Sequence, residues 1–296
     1  MSRRRPRELR AGQLRCLINT SILKLDLALD DPGYGADAVI VDLEDGVHTS
    51  DKERARAQLM SLEGLERRRA GLTFGVRINA LNSIDGIRDL AQVYQHAESH
   101  PGAFSFIQLP KIASADEVAL CAEVLRTLDQ PPALMPIIET PPGVANLEKI
   151  AEVSDAMMFG CVDLASSMYR PNNDYMAYAK GRFVVACASE RIPAIDTTAV
   201  HNGMKIDDEV AFTSHCAVSR DSGFTGKAVI HPSQVEHVLR AYFMDEQTIE
   251  EHRATVQAYE LAETGFSIRD GKIIAPPFVA HARLMLHMYS EKEGLV

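Results

Sequence analysis

The chain has 296 residues, of which 46% are hydrophobic and 24% are charged, proportions typical of a globular protein with one large domain or two ordinary ones. Its 41 acidic residues outnumber its 31 basic residues, so its overall field repels nucleic acids and anionic membranes. The sequence has no run of eighteen apolar residues, which excludes a membrane-spanning helix from the expected structure.

The amino terminus is the one strongly basic part of the sequence. Five arginines lie within residues 1–12, and no apolar stretch of signal-peptide length follows them, so we expect a flexible, solvated tail. The five cysteines are scattered and have no C-x-x-C spacing. This distribution indicates reduced thiols in the core of a cytoplasmic protein.

Residues 13–243 alternate short β-branched runs with longer segments of helical period, a pattern typical of repeated βαβ units. The predicted strands cover residues 15–18, 38–42, 73–78, 106–109, 134–138, 156–159, 193–196 and 228–230. The helices predicted between them cover residues 51–62, 83–97, 114–128, 146–153, 175–190 and 207–219. The number of strands indicates a (β/α)8 TIM barrel.

An open, doubly wound sheet is the main alternative to the barrel. Such a sheet usually carries a glycine-rich phosphate loop after its first strand, whereas residues 16–25 contain no glycine. We therefore favour the barrel.

After residue 243 the pattern changes. It predicts a helix over residues 246–264, a turn over residues 269–272 and a terminal helix over residues 276–290. We expect residues 244–296 to form a C-terminal helical extension that packs on the barrel or on a neighbouring subunit.

Polar side chains stand at or just after the ends of most predicted strands. In a TIM barrel the carboxyl ends of all strands form one rim, where catalytic groups lie. These strand-end residues are Asp42, Arg77, Lys111, Glu139, Asp163, Asp196 and His231. One such carboxylate could simply cap the following helix. Four carboxylates together with an arginine, a lysine and a histidine indicate an active site instead. Among them, we expect His231 to be a structural strand-end group and not a ligand, because it precedes Pro232.

Glu139 and Asp163 end consecutive predicted strands, which suits two oxygen ligands of one divalent ion. Mg²⁺ fits this pair best, because it commonly takes one or two carboxylates and fills its other positions with water and substrate oxygens. A helix cap or a rim ion pair is the alternative for either carboxylate alone. Zinc is disfavoured, since no histidine pair or Cys/His cluster has the spacing of zinc ligands.

Arg77 carries the planar, two-pronged donor that suits a substrate carboxylate, although it could instead pair with Asp42 or Asp45. Lys111 could form a Schiff base, as in class I aldolases, but the clustered carboxylates favour a metal that holds an enolate. Nucleophilic catalysis is disfavoured, because the sequence has no G-x-S-x-G motif.

Several segments together resemble a known family. They are GADAVIVDLEDGV (35–47), Lys52 with Ala55 and Arg56, VRIN (76–79), LPK (109–111), IETPPGV (138–144), FG with DL (159–164), and GFTGKAVIHPSQ (223–234). From about residue 35 to residue 240 the chain resembles the citrate lyase beta-subunit-like branch of the HpcH/HpaI aldolase superfamily.

This resemblance implies a TIM barrel that assembles as a homotrimer or homohexamer. It also implies Mg²⁺ and the cleavage or formation of a carbon–carbon bond next to a CoA thioester, as in citryl-, malyl- or citramalyl-CoA. Glu139 and Asp163 match the family's metal ligands. Arg77 matches the arginine that binds the acid part of the substrate, and we assign Lys111 and Gly160, which lie in matching segments, to substrate binding as well.

The same resemblance assigns the acidic loop beside the metal. Asp42, Glu44 and Asp45 match that loop and are the expected catalytic group. The sequence Asp-Leu-Glu-Asp over residues 42–45 also separates this branch from the pyruvate aldolases, which carry a histidine in the corresponding loop.

Two segments depart from the family pattern. The family usually has R-S-x-L-F-x-P-G around the first strand, whereas residues 15–21 read RCLINTS, without the Pro-Gly turn that shapes the thioester end of the site. Several members carry an aspartate near the C-terminus that reaches a neighbour's site as acid or base, and Ala275 stands at that position. Proton transfer would then pass to Glu44, Asp45 or a metal-bound water.

We therefore expect a Mg²⁺-dependent carbon–carbon lyase acting on a short hydroxyacyl-CoA thioester. The alternatives are a CoA-independent aldolase or lyase on a free oxo acid, and a catalytically weakened barrel kept as a scaffold subunit. The expected partners are a small carboxylate or CoA-thioester substrate and further copies of this chain, but neither nucleic acid nor a membrane.

Overall fold

Eight parallel strands close into a barrel, in which each strand pairs with the next one along the chain and the last pairs with the first. This closure confirms the predicted (β/α)8 TIM barrel and is incompatible with the open sheet, whose two edge strands would stay unpaired. The computed structural model describes residues 9, 11–30, 33–62, 72–170, 173–198, 206, 208–262, 265–269 and 271–289.

The strands lie close to their predicted positions. They are β1 (Cys16–Ser21), β2 (Ala38–Asp42), β3 (Thr73–Arg77), β4 (Phe106–Leu109), β5 (Ala133–Ile138), β6 (Met157–Phe159), β7 (Ala194–Thr197) and β8 (Gly226–Val229). The largest difference is at β1, which continues through Asn19, Thr20 and Ser21 because these residues pair with the end of β2. Their polar side chains do not belong to an apolar run, so the pattern alone ended the strand too early.

Helices follow the strands around the outside of the barrel. They are α1 (Leu25–Asp30), α2 (Lys52–Met60), α3 (Ile84–Ser99), α4 (Ala115–Leu125), α5 (Pro141–Ala145), α6 (Leu147–Ala151), α7 (Cys161–Ser166), α8 (Asn173–Glu190), α9 (Glu209–Asp221) and α10 (Val235–Ala241). The sequence pattern missed α1, α5, α7 and α10. Each has seven residues or fewer, too few to display a helical period.

Capping residues start several helices directly after the rim segments. The Ser83 hydroxyl accepts the N–H of Gly86 at the start of α3, at 3.0 Å. The Thr140 hydroxyl accepts the N–H of Gly143 at the start of α5, at 3.1 Å, and Ser114 forms a capping box with its partner three residues on. These caps satisfy backbone donors that the helices leave free, and so fix where each rim segment turns into its helix.

Two apolar clusters form the core of the protein. One lies between the strands and the helices, and the other fills the barrel interior with side chains such as Ile40, Phe106 and Met135. Phe106 lies against Gly75, where a Cβ atom would come within 2.1 Å of the ring. Because side chains fill the interior at close packing, the space for a ligand lies at the rim above them.

The C-terminal extension consists of a helix pair and a short hairpin. Helix α11 (Glu246–Glu260) packs on α12 (Pro276–Tyr289), and β9 (Ser267–Arg269) pairs antiparallel with β10 (Lys272–Ile274). The two strands lie on either side of the predicted turn, whereas the sequence pattern predicted only helices beside it. Gly271 has a φ of 75° there, a conformation that favours glycine.

The extension reaches the amino end of the barrel within the same chain. Helix α12 contacts the 3-10 turn Ala11–Gln13, which precedes β1. Leu9 packs against the apolar cluster inside the barrel. Residues 1–8 and 10 of the predicted basic tail lie outside the described residues.

All five cysteines are buried and free of disulfides, as the sequence predicts. Burial raises the pKa of the Cys121 thiol to about 12, and such thiols are unreactive at neutral pH. In the part of the chain that the structure describes, no helix has the length and apolar character needed to cross a membrane.

Candidate active site

Asp42 and Arg77 form a pair at the rim that is joined by two hydrogen bonds. They are neighbours because the ladder between β2 and β3 pairs their backbones. Arg77 donates from Nε to Asp42 Oδ1 at 2.8 Å and from Nη2 to Oδ2 at 2.6 Å. Burial alone would raise the pKa of Asp42, but the Arg77 charge and the hydrogen bonds to this carboxylate hold it below its ordinary value.

Asp42 also shapes the loop that follows it. Its carboxylate accepts the N–H groups of Glu44 at 2.9 Å and Gly46 at 2.8 Å. A Cβ atom at residue 46 would lie 2.5 Å from Asp42 Oδ2, so glycine is needed for this close turn. Asp42 is thus committed to holding Arg77 and the loop in place.

Lys52 and Asn79 hold the same loop from the outside. Lys52 Nζ donates to the carbonyl oxygens of Leu43 at 2.8 Å and Glu44 at 2.7 Å. Asn79 Nδ2 donates to the Leu43 carbonyl at 2.9 Å. Both residues belong to the family-like segments, but the sequence did not assign them a role; their contacts now show that they immobilise the acidic loop.

Glu44 has a different environment from Asp42. Its side chain is 5% exposed and forms an ion pair with Lys111 Nζ, while Arg77 Nη1 lies 3.0 Å from its Oε2 but is not aligned for a hydrogen bond. Burial outweighs these positive charges and raises the pKa of Glu44. Asp45, by contrast, has a side chain that is 60% exposed, with its carboxylate 4.0 Å from Arg77. The three acidic loop residues therefore differ in burial and in their partners.

Lys111 connects the acidic loop with Glu139. Its backbone has a φ of 56°, a left-handed conformation that costs a non-glycine residue about 1–2 kcal/mol. In this conformation its N–H donates to Glu139 Oε1 at 2.8 Å. Its side chain is 37% exposed and reaches Glu44, so the ammonium group is accessible from the rim.

Glu139 is a buried carboxylate that directly follows β5. It is 4% exposed, and burial together with the charges of Asp163 and Glu44 raises its pKa to about 8. Gly160 gives it room, because a Cβ atom at residue 160 would lie 2.4 Å from Glu139 Oε2 and 2.6 Å from Glu139 Cβ. The role of Gly160 visible in the structure is to accommodate Glu139.

The donor set at Glu139 and Asp163 suits Mg²⁺. Asp163 lies in the first turn of α7 and is half-buried. Among the described residues, no group of three or more His, Cys, Asp or Glu side chains is arranged to hold a metal ion, so a protein-only cage for zinc or calcium is not formed there. Mg²⁺ commonly takes one or two carboxylates and fills its other positions with water and substrate oxygens. The raised pKa of Glu139 marks negative charge that a cation would offset.

Two predicted rim residues do not join this group. Asp196 is fully buried and faces the helix layer, where its carboxylate contacts Lys227 at 2.8 Å and Lys180 at 3.1 Å. His231 accepts the N–H of Ser233 and caps the turn after β8, the structural role that its position before a proline suggests. Asp196 is thus a correction to the strand-end prediction: it is second to last in its strand, so its side chain points outward.

Comparison with known proteins places these residues in a family. A family model described as HpcH/HpaI aldolase/citrate lyase matches residues 23–232. The chain is 32% identical over 263 residues to a (3S)-malyl-CoA thioesterase of Cereibacter sphaeroides, covering 86% of this chain and 87% of that protein. It is 29% identical over 269 residues to the citrate lyase subunit beta of Escherichia coli (strain K12), covering 86% and 85%.

Solved structures show the same fold. CitE from Mycobacterium tuberculosis, in complex with magnesium, acetoacetate and coenzyme A, superimposes with a TM-score of 0.72 at 24% sequence identity. The match covers 95% of this chain and all of that one. The whole architecture, including most of the C-terminal extension, thus has a counterpart of known structure.

Proposed function

The chain belongs to the HpcH/HpaI aldolase/citrate lyase family, and on that premise we propose that it is a Mg²⁺-dependent carbon–carbon lyase for a short hydroxyacyl-CoA thioester. The observation that carries the proposal is a set of contacts at the rim: Lys111 contacts both Glu139 and Glu44, Arg77 pairs with Glu44, and the charge of Asp163 is near enough to raise the pKa of Glu139. This arrangement offers two oxygen ligands for a cation and two positive groups for an acid. Citrate lyase subunit beta and malyl-CoA thioesterase, the names of its relatives, support a substrate of this kind.

Glu139 and Asp163 are the residues that would hold Mg²⁺. When bound, the ion supplies Lewis acidity that stabilises negative charge on the oxygen atoms of the acid part as the carbon–carbon bond breaks or forms. The Lys111 N–H group orients Glu139 from one side, and Gly160 leaves space on the other. These contacts hold the ligand carboxylate before any ion arrives, which reduces the cost of ordering the site.

Arg77 and Lys111 would orient the substrate carboxylate. Asp42 occupies the Nε and Nη2 edge of Arg77, so the side of Nη1, which faces Glu44 and Asp45, is the part left for a ligand. The partly exposed ammonium group of Lys111 pairs with the Glu44 carboxylate, which Arg77 Nη1 also faces. A substrate carboxylate entering here would meet two cations in a half-buried environment, where such contacts are stronger than in water.

Glu44 is the group that we assign to proton transfer. Its raised pKa makes the protonated form accessible nearer to neutral pH than for an ordinary glutamate. Asp42 is unsuited to this role, because its pKa is lowered and all its bonds are structural. Asp45 is the exposed member of the loop, and we assign it to the mouth of the site. Ala275, between β10 and α12, has no proton to exchange, which leaves this task to the loop.

We further propose that the C-terminal extension packs on another copy in a homotrimer or homohexamer. The described part of residues 244–296 exposes five large apolar side chains, each between 51% and 77% exposed: Leu261, Phe266, Ile268, Ile273 and Phe278. A concentration of this kind is typical of an interaction surface. The buried, free cysteines are compatible with the cytoplasmic location that we propose.

The test offers citryl-, malyl- and citramalyl-CoA to the protein with and without Mg²⁺ and analyses the products. A lyase releases acetyl-CoA and an oxo acid in equal amounts and no free thiol. Glu139→Gln and Asp163→Asn should abolish the Mg²⁺-dependent reaction. Glu148→Gln is the matched control, because it changes an exposed carboxylate on α6 that pairs with Arg182. Failure of all three thioesters would contradict the proposal.

Thioester hydrolysis is the second candidate function, because the relative with 32% identity is named a malyl-CoA thioesterase. In that case the same assay would release free CoA thiol. Turnover of a free oxo acid without CoA would support the CoA-independent lyase instead. Binding of none of these compounds would support the scaffold subunit.

A further inference from the structure

The segment Phe159–Cys161 lies between the two proposed metal ligands. Gly160, at its centre, is packed against the Glu139 side chain. Cys161, at its end, begins α7, which carries Asp163 two residues later. Any displacement of this short segment therefore moves Gly160, which packs against Glu139, and also moves α7, which carries Asp163.

The Thr197 hydroxyl fastens this segment at both ends. It donates to the carbonyl oxygen of Phe159 at 2.8 Å and accepts from the N–H of Cys161 at 3.4 Å. The ladder between β6 and β7 ends one residue earlier, at the pair Phe159 and Asp196. The hydroxyl thus extends the connection between these strands just past the ladder, at the point where the chain turns into α7.

A buried ammonium group holds Thr197 from behind. Lys227 is fully buried, and its Nζ donates to the Thr197 carbonyl at 2.9 Å, to Asp196 at 2.8 Å and to Ser219 at 3.0 Å. Lys180 adds a second contact to Asp196, at 3.1 Å. A charge network in such surroundings has few alternative arrangements, because each group that left it would be buried without a partner. The backbone of Thr197 is therefore fixed.

We propose that Thr197 is a positioning residue for the metal site, which acts by holding Phe159–Cys161 and through it Glu139 and Asp163. This inference rests on the proposed function, since it requires that these two carboxylates bind a divalent cation. Groups that orient metal ligands without touching the metal typically change metal affinity by about 10- to 100-fold when removed. The expected effect of losing the hydroxyl is at the lower end, because a backbone segment and not a ligand side chain is released.

The experiment titrates the full chain with Mn²⁺, which accepts the same oxygen ligands as Mg²⁺, and follows free Mn²⁺ by electron paramagnetic resonance without substrate. Thr197→Val removes the hydroxyl at nearly constant shape, and Thr197→Ser keeps it. Thr225→Val is the matched control. Its hydroxyl also bonds backbone at the end of a strand, Ala194 N at 3.0 Å and Ala194 O at 3.2 Å, but at the amino end of β7, away from the rim.

We expect Thr197→Val to weaken Mn²⁺ binding by about tenfold or more, with Thr197→Ser and Thr225→Val within about threefold of the parent. If Thr197→Val does not fold, Thr197→Ala takes its place. Binding by the hydroxyl-free variant that equals the parent's would refute the inference and leave the proposed function standing. An equal loss in Thr225→Val would also refute it, because the effect would then follow from general destabilisation. A parent chain that binds no Mn²⁺ would refute the metal site and this inference together.

Discussion

Replacement of Gly160 by alanine tests how closely the rim is built around Glu139. The new Cβ would lie 2.4 Å from Glu139 Oε2, 2.6 Å from Glu139 Cβ and 3.2 Å from Ile137 Cγ2. Ordinary carbon contacts begin near 3.4 Å. Rotation of the carboxylate can relieve the first contact but not the second, because Glu139 Cβ is attached directly to the backbone at the end of β5.

The clash therefore has to move backbone by nearly 1 Å, between two strands that are joined by the pair Ile138 and Phe159. Overpacking of this kind typically costs about 1–3 kcal/mol of stability. A reacting group displaced by about 1 Å can lose about 100-fold in rate. We expect Gly160→Ala to lower the unfolding temperature modestly and to lower Mg²⁺-dependent turnover by about two orders of magnitude.

Gly181→Ala is the matched control for this substitution. Gly181 lies within α8, and a Cβ there would meet no described atom within 4 Å. Alanine in a helix is favoured over glycine by about 1 kcal/mol, so this variant should be slightly more stable and fully active. Measurements of thermal unfolding, Mn²⁺ affinity and turnover separate the two. A Gly160→Ala variant with parental Mn²⁺ affinity and turnover would refute the argument that Glu139 needs this space.

Three further predictions concern charge at and behind the rim. Glu139→Gln and Asp163→Asn should each abolish saturable Mg²⁺ activation of turnover, because each removes one of two oxygen ligands; activation like the parent's in either variant would contradict the assignment. Arg77→Lys should lower kcat/KM by about 30-fold, or about 2 kcal/mol, since one ammonium group cannot bond both oxygens of Asp42 as the guanidinium does and also present a donor to the substrate, and unchanged kcat/KM would exclude this role. Asp196→Asn should destabilise the fold by about 3–5 kcal/mol in urea unfolding, because two lysines lose their buried partner. Burial opposes the Asp196 charge, but the lysines hold its pKa below the ordinary value. The contribution of this carboxylate to the stability of the fold is therefore present above about pH 4 and is lost as the pH falls toward the folded-state pKa. A variant that loses the same stability at pH 3 as at pH 7 would contradict this.

Much of the fold follows from local pattern. Short apolar runs separated by helical segments place all eight strands within a few residues of their positions, because strand and helix periods are properties of neighbouring residues. The identity of the strand-end residues also follows from the sequence. Asp42 and Arg77 each close a run, so barrel closure brings them to one rim.

Short elements and side-chain directions did not follow from the pattern. Helices α5 and α7 are too short to show a period, and the polar end of β1 shows no apolar run. Asp196 has the same local pattern as the rim carboxylates, yet it faces the helices. Its direction depends on the register of β7, in which Thr197 still pairs with Ala228 of β8, so that Asp196 is one residue before the end of the strand.

The sequence by itself determined the barrel, the family-like segments and the residue types at the rim, because these depend on the order and spacing of residues along the chain. Only the tertiary structure distinguished the three acidic residues of the loop, since the bonds of Asp42 and the burial of Glu44 come from residues far away in the chain. It alone also revealed that Gly160 makes room for Glu139 and that Thr197 fastens the start of α7. These are contacts between separate strands, and their distances exist only once the barrel has closed.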